Sequence, residues 1–184
     1  MEMLLILAVA LAMDSVAVSI AIGSKYKKLH LPRIVFIASI FGFFQGIMPL
    51  AGYLIGISFA QYVQAYDHWI AFVLLVGLGV KMLYEAYKNE FDEEVTDLSN
   101  KTLITLAIAT SIDAMAIGVT FVFLQTDIMI ASVIIGLVTF VLCLAAVYVG
   151  KKLGSFLESK AEILGGLMLI GLGLKILLEH TGIL

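Results

Sequence analysis

Leu11-Ala12-Met13-Asp14-Ser15-Val16-Ala17-Val18-Ser19 and Thr110-Ser111-Ile112-Asp113-Ala114-Met115-Ala116-Ile117-Gly118 are two versions of one stretch. Each sets a single carboxylate inside an apolar run, Met3 to Gly23 in the first case and Leu103 to Leu124 in the second. About 20 apolar residues of helix cross the hydrocarbon core of a bilayer, so both carboxylates are expected near its midplane. An ionisable group at that depth is costly and ordinarily faces a bundle interior, where it marks an ion or proton pathway. Two of them in matched surroundings define a candidate site.

The rest of the chain agrees with a membrane setting. Its 184 residues are 62% hydrophobic and 14% charged, and the mean hydropathy is +1.10. Soluble domains are about 45–50% apolar and about 25% charged. One cysteine, Cys143, excludes an internal disulfide and a cysteine zinc cluster. The opening Met1-Glu2-Met3 lacks the basic region of a signal peptide, and the run behind it contains Asp14. It reads as a retained helix rather than a cleaved leader.

Six apolar runs follow one another, at about 3–23, 34–58, 68–87, 102–124, 128–150 and 161–179. The first connection contains Lys25, Lys27, Lys28 and Arg33, the third Lys88 and Lys101, and the fifth Lys151, Lys152 and Lys160. The even connections and the tail hold no Lys or Arg. Because basic residues in short loops stay in the cytoplasm, this alternation predicts six spans with both termini outside. Glu90, Asp92, Glu93, Glu94 and Asp97 make the third connection acidic. Such a run is expected to be a solvated linker, or to concentrate divalent cations at a cytoplasmic mouth. The expected division is a first unit over 1–88, the linker over 89–101 and a second unit over 102–184.

Shifting the chain by 99 residues lays Asp14 on Asp113, and lays Ala8, Ala12, Ser15 and Ser19 on Ala107, Ser111, Ala114 and Gly118. These positions form one ridge of a helix, and its small residues allow close approach between membrane helices. Ile37-Ala38-Ser39 recurs as Ile130-Ala131-Ser132, and Gly77-Leu78-Gly79-Val80-Lys81 with Glu85 recurs as Gly171-Leu172-Gly173-Leu174-Lys175 with Glu179. Repeats of three helices must cross the membrane in opposite senses. Inverted repeats are a recurrent plan of secondary transporters, with the substrate site at their interface. The expected fold is therefore an all-α polytopic membrane protein, six transmembrane helices as two inverted three-helix repeats.

Neither aspartate has a Lys or Arg one turn away along its own helix. A proton, a hydrogen-bonding partner or a bound cation remains to balance it. Pro49 in the second run cannot donate to the carbonyl of Gln45, and Gln45 itself is an amide at membrane depth beside Gly42, Gly46 and Gly52. That arrangement suits either a packing kink or a polar cavity. Its repeat counterparts are Thr139 and Cys143. Thr110 and Ser111 add hydroxyls, while Met13 and Met115 offer thioether sulfur or, more ordinarily, packing. Lys81 and Lys175, each with Glu at i+4, read as snorkelling or locally paired residues with no transport role. His30, His68 and His180 have no ligand spacing, and Cys143 has no base partner. Carboxylate, amide, hydroxyl and carbonyl oxygens suit Mg, Ca or Mn.

The stretches Ala12-Met13-Asp14-Ser15, Ala109-Thr110-Ser111-Ile112-Asp113-Ala114-Met115-Ala116-Ile117-Gly118, His68-Trp69-Ile70-Ala71-Phe72-Val73-Leu74-Leu75 and Lys160-Ala161-Glu162-Ile163-Leu164-Gly165-Gly166 resemble the MntP manganese efflux pumps of bacteria over nearly the whole chain. The resemblance implies export of Mn²⁺ from the cytoplasm and a requirement for Asp14 and Asp113. Some relatives have glutamate where this chain has Gln45, which removes one negative charge here. The expectation is a non-enzymatic exporter in the bacterial inner membrane. Its metal site would comprise Asp14 and Asp113 with Gln45, Thr110, Ser111, Met13 and Met115 in support. Mn²⁺ would be its substrate rather than a cofactor, the lipid bilayer its surroundings, and neither nucleic acid nor an obligate protein partner is called for. No phosphate loop for ATP is present. The competing readings are an exporter of Cd²⁺ or an amino acid, and a structural membrane subunit with the aspartates as helix glue.

Overall fold

The computed structural model describes residues 2–63, 67–88, 98–123 and 127–153, together with 163, 167, 169–171, 174, 177 and 178 of the last apolar run. Among these residues every regular element is a helix: α1 (Glu2–Leu11), α2 (Met13–Lys25), α3 (Leu31–Val63), α4 (Asp67–Lys88), α5 (Asn100–Thr110), α6 (Ile112–Phe121) and α7 (Ile128–Leu153). Leu31–Ser58, Asn100–Phe121 and Ile128–Lys152 are each long and apolar enough to cross a membrane. The α1–α2 pair meets the same length and hydropathy test when its two helices are taken together, with a bend of 42° at the break. The protein is a multi-pass helical membrane protein. The acidic run 90–97 and most of the sixth apolar run lie outside the described residues.

The elements start where the sequence supplies caps. Ser99 accepts from the Thr102 N–H at 3.2 Å to open α5. Asp127 accepts from the Met129 and Ile130 N–H groups at 2.9 and 3.2 Å to open α7, satisfying donors that a helix start leaves orphaned. Proline does not end α3. The helix runs for 33 residues through Pro49, so the proline at that position is accommodated rather than disruptive.

The helices meet through glycines. Gly42 and Gly136 lie against each other's carbonyls where α3 crosses α7, and Gly46 abuts Ser132 and Gly136. A side chain on Gly23 would strike the Val147 carbonyl, and one on Gly150 the Ile20 carbonyl. These contacts lock α2 along α7. Gly52 sits on the Met115 carbonyl, Gly118 on the Pro49 carbonyl, and Gly56 on Val119 and Val122, which locks α3 along α6. The order of these partners makes α3 parallel to α6 and antiparallel to α7, and Ser19 beside Cys143 with Gly23 on Val147 makes α2 parallel to α7. With almost no side chain at the crossing, backbones approach closely, and dispersion rather than hydrophobic exclusion holds the helices together in an apolar solvent.

Both ridges of small residues point into this packing. Ala8, Ala12, Ser15 and Ser19 are buried, as are Ala107, Ser111, Ala114 and Gly118. Large apolar side chains such as Phe43, Leu54, Val133 and Leu137 face outward instead. This inversion of the soluble pattern is expected of helices solvated by lipid. The basic ends gather at one pole. Arg33 donates to the Leu98 carbonyl at 2.6 Å and to Asn100 Oδ1 at 2.7 Å, and Lys151 donates to the Leu29 carbonyl at 2.9 Å.

Candidate metal centre

Each aspartate sits in the first turn of a half-helix rather than in the middle of a continuous one. Each lies within one apolar run of the sequence, and the structure divides that run into two helices at Ala12 and at Ser111. In the second repeat the cause is local. Thr110 donates to the Ala107 carbonyl at 3.3 Å, and the Ser111 hydroxyl donates to the same oxygen. The Ser111 N–H, whose ordinary acceptor is that carbonyl, turns to Ile108 at 3.1 Å. Ser111 itself takes φ −103°, ψ 3°, outside the helical well. Hydroxyl side chains competing for helix carbonyls are a known source of bending.

In the first repeat the break has a different partner. Gln45 Nε2 donates to the Leu11 carbonyl at 2.7 Å. An unbroken helix would reserve that oxygen for the Ser15 N–H. A side chain from α3 thus holds open the gap between α1 and α2. Half-helix starts expose N–H groups and the positive end of a helix dipole, and both favour an anionic side chain nearby.

Asp113 uses this geometry directly. Its Oδ1 accepts from the Ala114 N–H at 2.7 Å, which fixes the carboxylate against the start of α6. Its Oδ2 is buried and has no hydrogen-bond partner. The residue is only 4% exposed, so that oxygen has to be balanced inside the protein by a proton, a donor or a cation. Two charges from other helices act on it, those of Asp14 and Lys81. Asp14 is 6% exposed, and its helix is tied to the end of α5, three residues before Asp113, by a hydrogen bond of 3.1 Å from Ser15 Oγ to Thr110 Oγ1. The structure thus brings together the two stretches that the sequence separates by 99 residues.

Of the expected supporting residues, Gln45 is fully buried with its Oε1 unpartnered. Thr110 and Ser111 are buried with their hydroxyls committed to Ala107. Met13 packs in the apolar core with Leu7, Leu11 and Ile117. Met115 is half-buried, with its carbonyl against Gly52. Among the described residues no group of three or more His, Cys, Asp or Glu could hold a metal, and those that meet here are two carboxylates and neutral oxygens. Sequence reading assigned Lys81 no part in the site, because it weighed only neighbours along the same helix. Its influence on Asp113 arises from the packing of α4 on α6.

Comparison with known proteins bears on what this arrangement serves. Residues 28–177 match the family Mntp, described as "Putative manganese efflux pump". A Campylobacter curvus protein is 52% identical over 177 residues, covering 96% of each chain. A Clostridium botulinum (strain Loch Maree) protein is 46% identical over 192 residues, covering 98% of this chain and 96% of its own. One from Mannheimia succiniciproducens is 49% identical over 178 residues, covering 96% and 95%. All three bear the name "Putative manganese efflux pump MntP". No solved structure matches the chain. Similarity of this depth, reaching from one end of the sequence to the other, decides the matter of kinship: the chain belongs to the Mntp family.

Proposed function

We propose that this protein exports Mn²⁺ from the cytoplasm through a mid-membrane site formed by Asp14 and Asp113. The observation that carries the proposal is the state of Asp113. One carboxylate oxygen is anchored to a helix start, and the other is buried, unpartnered and within the field of a second aspartate. Two carboxylates balance a divalent cation, and the amide oxygen of Gln45 adds a neutral donor of the hard type that manganese accepts. The names borne by the relatives supply the direction, efflux, and the metal.

The same reading takes the chain as six spans in two inverted repeats, in the bacterial inner membrane with both termini outside. Matched contacts support it. Between the two units, Ile20 on Gly150 has its counterpart in Val119 on Gly56, and Ser19 beside Cys143 has its counterpart in Gly118 on Pro49. Rocking of one repeat on the other would open the site to each side in turn. Protons are the proposed driving ion, since a carboxylate must lose its proton to bind metal. Protonation from outside would then discharge the cargo.

The test is ⁵⁴Mn²⁺ accumulation in cells without manganese exporters, expressing the wild type, Asp14→Asn or Asp113→Asn at equal membrane levels. Lower accumulation with the wild type and none of that effect with either variant is expected. Wild-type cells that retain manganese would refute the substrate, and active variants would refute the site. Proton coupling is tested separately in vesicles, where an imposed pH gradient should drive uptake and its collapse should stop it.

A further inference from the structure

We propose that Thr139 is a further ligand of the metal site, its hydroxyl standing opposite the Gln45 amide as the second neutral oxygen between the carboxylates. The proposal rests on the export site proposed above and extends it by one residue.

Hydroxyls inside helices ordinarily return their proton to a carbonyl three or four residues back. In this protein Ser39, Ser58, Thr110, Ser111 and Thr120 all do so. Thr139 does not. It is fully buried, yet its Oγ1 has no hydrogen-bond partner. A buried hydroxyl without a partner costs about 1–3 kcal/mol, and here the default remedy lies one turn away in the same helix and is left unused. Ser132, the other unpartnered hydroxyl of α7, lines the outward-facing groove between α3 and α7. Thr139 is two turns further along the helix, past the Gly136 crossing.

Its position matches that of Gln45. The crossing of α3 and α7 places Gly42 and Gly136 on each other, and because the two helices are antiparallel, Gln45 and Thr139, each three residues past its own glycine, flank that crossing from its two sides, both with no exposed surface. Both present an unpartnered oxygen. Gln45 reaches the break of the first half-helix pair by its amide hydrogen. Ser19 beside Cys143 and Gly23 on the Val147 carbonyl set α2 and α7 in parallel register, which carries the Asp14 turn to the level of Thr139. An ion held by Asp14 and Asp113 would therefore meet an amide oxygen from α3 and a hydroxyl oxygen from α7. Both donors are neutral, so the site keeps the two negative charges that match a dication.

The experiment is initial-rate ⁵⁴Mn²⁺ transport in everted membrane vesicles, with loss of the free Mn²⁺ paramagnetic signal on adding purified protein as the binding readout. Thr139→Val preserves shape and removes the oxygen; it should raise KM about tenfold, the lower end for losing a metal-site contact, with Vmax little changed. Thr139→Ser should restore wild-type KM. Thr139→Cys exchanges a hard donor for a soft one, and Cd²⁺ should then compete against Mn²⁺ about tenfold better than in the wild type, which already contains Cys143. Wild-type KM in Thr139→Val, beside an inactive Asp113→Asn, would overturn the role of Thr139 and leave the aspartate site standing. So would a serine variant as impaired as the valine one, or a cysteine variant with unaltered Cd²⁺ competition, since packing alone would then explain the effect. Wild-type vesicles that carry no Mn²⁺ would instead remove the export proposal and this ligand with it.

Discussion

Asp113 divides its labour between two oxygens, one holding the start of α6 and one facing the interior. Asparagine keeps the first task and loses the charge. Asp113→Asn should therefore leave thermal stability in detergent nearly unchanged while reducing Mn²⁺ export at least about tenfold, and up to about a hundredfold. A large fall in melting temperature would show that the charge serves folding instead. Ser15 offers the converse case. Ser15→Ala removes the bond to Thr110, and polar contacts between membrane helices are worth about 0.6 kcal/mol on average. A small loss of stability is expected, measurable by unfolding in mixed detergent, with export retained. At this scale the sequence was highly legible for the aspartates, because an ionisable group in an apolar run has few explanations. It was poorly legible for Thr139 and Lys81, whose chemistry depends on neighbours from other helices.

At the scale of the helix, the ridges at i, i+4, i+7 and i+11 were readable from residue size alone, and the structure buries both. The breaks at Ala12 and Ser111 were not readable in the same way. Neither carries proline or glycine, the residues that usually announce an interruption, whereas Pro49, which does announce one, lies within an unbroken α3. The second break is written in the Thr110-Ser111 pair, whose hydroxyls compete for one carbonyl. The first depends on Gln45, from a different helix, and so leaves no local trace. Glycines provide a graded test of the packing. Gly118→Ala would drive a methyl group into the Pro49 carbonyl. The overpacking should cost about 1–3 kcal/mol and lower the yield of folded protein. Gly77→Ala meets nothing within 4 Å, and it should be neutral or slightly stabilising, since alanine is favoured over glycine in helices by about 1 kcal/mol. Equal effects from the two substitutions would contradict the packing described.

Over the whole molecule, the charge pattern of the sequence and the basic pole of the structure agree. Lys27, Lys101 and Lys152 are exposed at the same end where Arg33 and Lys151 tie the connections together. Single cysteines placed at these three positions, in a chain with Cys143→Ser, should react with an impermeant thiol reagent only when the cytoplasmic face is accessible. Labelling from the outside of intact cells would reverse the proposed topology. Arg33→Ala should loosen the junction between the first and second units at Leu98 and Asn100, read as faster proteolysis of the 89–101 connection with the spans intact. The sequence suggested a repeat because its two halves keep similar residues at similar intervals. It could not convey which interfaces the repeat builds, because those are set by backbone approach at glycines whose partners lie far away in the chain.

Those interfaces come as a matched couple, α2 along α7 and α3 along α6, each closed by glycine on carbonyl rather than by salt bridges or knobs of side chain. A door and its mirror image made of the same material take similar work to open. If the proposed rocking opens these two interfaces in turn, neither facing state would be strongly preferred by the fold, and the polypeptide would supply no arrow of its own. Traffic would follow whichever chemical potential is steeper. Proteoliposomes with manganese outside and an inverted proton gradient should accordingly load rather than empty, at a rate comparable to forward transport.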